Sequence, residues 1–293
     1  MNSIEIAERF GFLAYRKKSC PHLSLRIKGI DLHIDSTPRD GFNLITHAHS
    51  DHYGQRNVLN RNAIASVETA KILKAVTGKE FKGKIFCIGD NFRLGELKIE
   101  TYATKHIHGA TAFYLKDADL LITGDVKQWR DFPKCRVLIT EATYGDPSFV
   151  FEDEIEKLLS VAKKKVCLGA YPVGKAQRVA EILRKEGHEF TAEDKIKRIC
   201  SALGIEVGDS GSRIVSPRNL SDGYILTAQR YYKVPRIVIS DHMDYRGIIE
   251  MVEHCKAEHV IFYHGKASER LKKELAEMGV SYSTLKDIDL ILP

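Results

Sequence analysis

The chain has no C-x-x-C pair. Its six cysteines, Cys20, Cys87, Cys135, Cys167, Cys200 and Cys255, are scattered, which excludes a zinc ribbon and a thioredoxin-like redox motif. No run approaches the roughly 20 apolar residues that a membrane span needs. The opening MNSIEIAERFGF carries acids early and has no apolar h-region, so no secretory signal is predicted. These absences point to a reduced, cytoplasmic protein with buried thiols and no membrane partner. There is no internal repeat and no low-complexity tract. Neither sign of charge dominates: 45 Lys and Arg stand against 39 Asp and Glu in 293 residues, a net +6. That balance permits a polyanionic partner without requiring one.

What the chain does have is 12 histidines, and their positions are informative. Ile45-Thr-His47-Ala-His49-Ser-Asp51-His52 follows the apolar run NLIT. Alternate side chains of an extended segment point the same way, so His47 and His49 can share one target. Asp51 and His52 follow at the predicted turn into a helix and can reach an adjacent point. Imidazole nitrogen with carboxylate oxygen suits zinc, or another first-row metal such as manganese or iron. His106 follows the run LKIETY, Asp125 follows DLLIT, and His264 closes VIFYH. Polar residues at the ends of apolar strands are where chemistry collects on a rigid scaffold.

The elements around them read as α/β. Short apolar or alternating runs fill the first half, at 23–27, 31–35, 43–46, 84–88, 97–102, 112–115, 119–123 and 136–140, with one helix near Val67–Ala75. Beyond Gly145, helical periodicity at Glu152–Lys164, Ala176–Glu186 and Ala192–Leu203 alternates with apolar runs at 165–170 and 213–216. The last stretch predicts strands at 236–240 and 259–264 and helices near Tyr245–Cys255 and Ala267–Met278.

The histidine and aspartate set resembles that of the metallo-β-lactamase superfamily, over nearly the whole chain. The resemblance implies an αββα sandwich with two metals at the strand ends. It implies that His47, His49 and His106 bind the first metal and that Asp51, His52 and His264 bind the second. Asp125 would bridge both. His106 is preferred to His108 because Gly109 stands three residues after it; Lys105 and Ala110 depart from the G-H-x-x-G-S pattern.

Three segments narrow the resemblance to the β-CASP nuclease branch. Glu141-Ala-Thr-Tyr-Gly145 resembles its E-[SA]-T-Y-G signature. Val173-Gly-Lys175-Ala-Gln-Arg178 resembles its G-[KR]-A-Q segment. Ser240-Asp-His242-Met-Asp244, with Tyr263-His264-Gly265, resembles its closing motifs. Length and motif form look most like the small ligase-associated and archaeal DNA-cross-link-repair-like exonucleases. The implied organisation is a discontinuous metallo-β-lactamase domain, 1–146 and 233–293, interrupted by a small β-CASP-like α/β domain at 147–232.

The implied activity is a two-metal phosphodiesterase on nucleic acid, a DNA exonuclease favouring the 5′ end, with RNA processing as the alternative. Two divalent ions, zinc with manganese as the alternative, clamp the phosphate and make a nucleophile from water. Asp51 is a candidate to orient that water. His242 is the candidate to protonate the leaving oxygen, and Glu141 to hold and charge its ring. Lys175 and Arg178, in a first helical turn, are candidates for substrate phosphate, as is Arg218. Residues 213–236 carry Arg213, Arg218, Arg230, Lys233 and Arg236 against Asp222, with Tyr224, Tyr231 and Tyr232 interleaved. That mixture suits a single-stranded backbone and its bases. The rivals are a small-molecule thioester hydrolase, which has no use for Glu141 and His242, and a non-catalytic binding protein on the same fold.

Overall fold

Alternation along three central strands decides how the layers form. In Val137–Ala142, Val137 and Ile139 enter one core while Leu138 enters another. Leu120–Ile122 divides the same way, with Leu120 and Ile122 on one side and Leu121 on the other. In His259–Gly265, Ile261 and Tyr263 oppose Val260 and Phe262. Side chains of period two on a strand buried on both faces require a layer on each side.

The computed structural model describes residues 1–18 and 22–292. Cys20 lies outside the described residues. The chain divides into two compact units, the first made of residues 1–70, 79–150 and 242–293, the second of 71–78 and 151–241. Among the described residues there are seven α-helices, and no helix is long and apolar enough to cross a membrane.

The first unit holds two seven-stranded sheets. One runs, in spatial order, Ile291–Leu292, Leu13–Lys17, Leu23–Ile27, Ile30–Ile34, Phe42–Leu44, Ala63–Ser66 and Lys84–Phe86. The other runs Ser281–Thr284, His259–Gly265, Val137–Ala142, Leu120–Ile122, Thr111–Leu115, Leu97–Ala103 and Asn91–Leu94. Leu25, Leu32, Ile34, Leu44 and Ile64 of the first sheet share one core with Ile99, Phe113, Ile122, Ile139 and Ile261 of the second. The outer face of the second sheet is covered by the helices Tyr245–Cys255 and Glu269–Glu277, through Ile248, Met251, Leu271 and Leu275. The unit is therefore an α/β sandwich.

The second unit has its own core and a five-stranded sheet, in the order Phe190–Ala192, Ser212–Val215, Cys167–Gly169, Tyr224–Leu226 and Arg236–Ile237. Every pair in it is parallel. The last of these strands lies beyond residue 232, the expected end of an inserted domain.

Several elements were not predicted. The helix Ser3–Phe10 is fixed by a capping box, in which Asn2 Oδ1 accepts from the Ile4 and Glu5 amides at 3.0 Å and Glu5 accepts from the Asn2 amide at 2.8 Å. Leu13–Lys17, Ala63–Ser66, Asn91–Leu94, Phe190–Ala192 and Tyr224–Leu226 are strands made by their neighbours, since short segments carry too little periodicity of their own. The helix expected at Ala192–Leu203 begins only at Asp194, because Phe190–Ala192 pairs into the sheet. Cys135, Cys200 and Cys255 are buried thiols, but Cys87 is exposed, which corrects the expectation of buried cysteines throughout.

Part of the histidine surplus is structural. His33 sits between Ser24 Oγ and the Asp40 carbonyl, at 2.8 and 2.6 Å. His259 is fully buried between Ser281 Oγ and Ser283 Oγ, at 2.8 and 3.1 Å. Burial pushes its pKa down to about 4. An unfolded histidine titrates near 6.5, so on acidification the unfolded chain takes this proton first. The stability contributed by the neutral ring is therefore complete above pH ~6.5 and lost as pH falls through about 4. The loss is roughly 3 kcal/mol. Urea unfolding at pH 7 and pH 4.5 should show a smaller acid loss in His259→Gln than in the parent chain. Equal losses would refute this origin.

Candidate metal centre

The site forms where parallel strands end. Leu120–Ile122, Val137–Ala142 and His259–Gly265 are parallel neighbours, so Asp125, Glu141 and His264 emerge at the same edge. Ile30–Ile34 and Phe42–Leu44 are parallel too, and bring Asp35 and His47 out together. His106 lies in the loop between Leu97–Ala103 and Thr111–Leu115. A register irregularity pairs Thr140 with Phe262 but Glu141 with His264, and such bulges re-aim side chains at functional edges. Gly124 is left-handed, and a Cβ there would come within 2.5 Å of Thr46. Only glycine lets the loop carrying Asp125 approach so closely.

Four ligand atoms converge first. His47 Nε2 and His106 Nε2 lie 3.1 and 3.2 Å from His49 Nδ1. Asp125 Oδ2 is 3.6 Å from His47 Nε2 and 3.5 Å from His106 Nε2. Nitrogen and oxygen ligands bound tetrahedrally at about 2.0–2.1 Å stand about 3.3–3.4 Å apart. The spacing matches. Beside this group, His52 Nε2 lies 3.5 Å from Asp125 Oδ2 and 3.9 Å from Asp51 Oδ2. His264 lies 3.5 Å from Asp51 through Nε2 and 3.4 Å from Asp125 through Nδ1. This second group is more open: Asp51 is 62% exposed and His264 38%.

The residues fit a bound cation. His52 Nε2 is buried with no hydrogen-bond partner among the described residues, yet it faces two carboxylates. An unsatisfied buried nitrogen is costly unless something occupies the space before it. Burial holds His47 well below the usual histidine range. Burial alone would raise Asp125, but His52, His264, His242 and His106 outweigh it and hold the carboxyl well below its usual range. Neutral imidazole and ionised carboxylate are the ligating forms. Burial opposes charge on His52, yet Asp125 and Asp35 lift its pKa to about 10. A metal must therefore displace a proton there.

Asp35 is the residue that sequence reasoning missed. It is buried and left-handed, with φ 47°. Its oxygens accept from the Thr46 amide at 2.8 Å, Thr46 Oγ1 at 2.7 Å and Tyr263 Oη at 2.8 Å, and bond His52 Nδ1 at 2.7 Å. A carboxylate on the far nitrogen orients an imidazole and raises its basicity toward metal. The only available signal was the DLHIDS run, a polar residue closing an apolar strand. His22, half-buried, also lies within electrostatic reach of Asp35, His52 and His264.

His242 is 19% exposed, with Nδ1 2.8 and 3.0 Å from the two oxygens of buried Glu141. Glu141 also accepts from the Val126 amide at 2.7 Å. The His242 ring lies 4.4 Å from that of His106, and its Nδ1 is 4.0 Å from Asp125. Lys105 is exposed and left-handed, φ 55°, which accounts for the glycine that the resembled pattern carries there.

Lys175 and Arg178 both lie in the second unit. Lys175 is 6% exposed, donates to the Ile239 carbonyl at 3.0 Å and lies 3.8 Å from Asp241. Arg178 donates to the Ser240 carbonyl and pairs with Asp153 and Asp241, while Asp153 accepts from the Ser240 amide. Their charges are used inside the fold, to grip the segment that leads into His242. Arg218 is exposed on the short turn Pro217–Asn219.

No family model matches the chain. A probable DNA ligase of Opitutus terrae is 23% identical over 291 residues, covering 80% of this chain but 28% of that protein. The chain thus spans less than a third of the curated relative it matches. Among solved structures, a protein of unknown function from Enterococcus faecalis superposes with TM-score 0.64 at 12% identity, over 96% of this chain and 97% of the other. The two share a fold. A metallo-β-lactamase aligns over 35% of this chain and 58% of its own, with TM-score 0.29 and 18% identity, which is too slight to argue from.

Proposed function

We propose that the chain is a two-metal phosphodiesterase acting on nucleic acid, and that it removes nucleotides from a DNA 5′ end. The observation that carries this reading is the meeting of seven ligand-type residues with a glutamate-held histidine where strands of the two sheets end. His47, His49, His106 and Asp125 would hold one divalent ion, and Asp51, His52, His264 and Asp125 the other, zinc or manganese suiting this donor set. When bound, the ions supply charge stabilisation to the phosphate and a nucleophile at neutral pH. With Nδ1 bound to Glu141, His242 delivers a proton to the leaving oxygen from Nε2. Asp51, which is exposed, would orient the attacking water.

End recognition has a place to occur. A cleft of about 690 Å³ beside His264 is lined by Thr143, Lys266, Ser268, Lys272, Thr284 and Lys286 among others. Asp146 and Glu269 also line it, and Glu269 pairs with Lys272 at 2.7 Å, which leaves Lys266, Lys286 and the hydroxyls to meet a terminal phosphate. The likeness to part of a protein named a probable DNA ligase supports nucleic acid as substrate and DNA over RNA. The second unit is read as the β-CASP-like insertion. A thioester hydrolase would share the metal ligands but has no role for His242 and Glu141.

The test is hydrolysis of end-labelled single-stranded DNA, duplex DNA and RNA, each with a 5′-phosphate or 5′-hydroxyl, in zinc or manganese. Stepwise shortening of linear DNA from the 5′ end is expected, with circular single strands left intact. Cleavage of circles would sink the exonuclease reading. Turnover of a chromogenic thioester without any cleavage of oligonucleotides would sink the nuclease reading itself.

A further inference from the structure

In the second unit, two neighbouring parallel strands send the chain in opposite directions. From Cys167–Gly169 it passes through the helix Lys175–Lys185 to Phe190–Ala192, on one side of the sheet. From Tyr224–Leu226 it passes to Arg236–Ile237, on the other side. Leu168 pairs with Tyr224 and Gly169 with Ile225, so the carboxyl ends of the two strands lie side by side. Where loops diverge from adjacent strand ends in an open parallel sheet, a crevice forms, and ligands bind there.

The residues at this point are aromatic and basic. Tyr171 leaves the first strand and is 50% exposed; Tyr231 leaves the second and is 94% exposed. Among the described residues of the second unit, these two are the large apolar side chains standing in solvent. Arg236 donates to the Ala228 and Gln229 carbonyls at 3.1 and 2.8 Å, which holds the base of the second loop. From Gly223 to Ser240 there is no Asp or Glu, while Arg230 and Lys233 are exposed within the loop.

We propose that this crevice is a stacking platform for single-stranded nucleic acid. Bases lie on Tyr171 and Tyr231, and the backbone passes Arg230 and Lys233. An exposed tyrosine offers a flat, rigid face to any base, and the positive loop tracks the phosphates. The occupant is a strand rather than a duplex, because the bases of a duplex are already stacked face to face on their neighbours. The platform rests on the proposed action on nucleic acid, and extends it to a site built entirely from the second unit.

The test is fluorescence anisotropy with the metal-free full chain and two labelled probes of equal length, oligothymidylate and an abasic strand. The parent chain should bind oligothymidylate the more tightly. Tyr231→Ala and Tyr171→Ala should each weaken oligothymidylate binding roughly tenfold and leave the abasic probe unchanged. Tyr231→Phe, which keeps the ring, should bind as the parent does. Both positions are at least half exposed, so these variants should melt with the parent. Parent-like binding by both alanine variants would overturn the platform, as would equal losses on the two probes. Binding without cleavage after metal is restored would sink the nuclease reading and leave the platform standing. Cleavage with unaltered affinities in the variants would do the reverse.

Discussion

Asp125→Asn should lose activity on nucleic acid by about a thousandfold, and should lose bound metal with it. Asp125 lies within 3.6 Å of His47, His52, His106 and His264. Its negative charge balances both groups. Charge stabilisation by metal is worth several kcal/mol in the transition state, and about 4 kcal/mol corresponds to about a thousandfold in rate. Chelation of the parent chain should abolish activity equally, with recovery on adding zinc or manganese. Asp35→Asn separates support from ligation. It leaves every proposed ligand in place but weakens the hold on the His52 ring, so metal affinity should fall about 10–100-fold. Metal content by mass spectrometry and titration calorimetry distinguish these cases. Two equivalents of metal retained by Asp125→Asn would refute the bridging role.

His242→Ala should lower kcat by about 10²–10⁴-fold, the range of a general acid, with metal content unchanged. The loss should depend on the leaving group. A phosphodiester with a nitrophenol leaving group departs without a proton, so the variant should lose far less on it than on an ordinary internucleotide bond. The alkaline limb of the pH–rate profile should also disappear, since that limb reports an essential acid. Glu141→Gln should give a smaller loss, because it retains an acceptor for Nδ1 but removes the charge that stabilises a protonated ring. An equal loss on both esters would show that His242 does not deliver the proton. It would then act only on the non-bridging oxygens.

The fold was legible wherever period was strong. The helix Tyr245–Cys255 and the strand Leu23–Ile27 lie where the pattern placed them, because their apolar residues recur over several turns or alternate without interruption. The helix Ser3–Phe10 has a readable start in Asn2 and Glu5 and a stop in Gly11. Ala63–Ser66 and Phe190–Ala192 could not be read. Each is a short run whose strand character comes from the partner beside it.

The site divides along the same line. The chain itself determined that His47, His49, Asp51 and His52 would crowd one spot, because all four fall within six consecutive positions at a strand end and a turn. It also determined the donor chemistry, nitrogen and oxygen without sulfur. Tertiary structure alone decided the rest. Glu141 and His242 are 101 positions apart, and only the parallel strand ends bring them to 2.8 Å. Asp35 and Tyr263 are 228 apart, and only the shared edge of two sheets makes them partners around His52. Lys175 and Arg178 carry the charge a phosphate would want, but the fold sets buried Lys175 against the Ile239 carbonyl and Asp241, and half-buried Arg178 against the Ser240 carbonyl, Asp153 and Asp241. Charge is a property of the residue; whether water and substrate can reach it is a property of the fold.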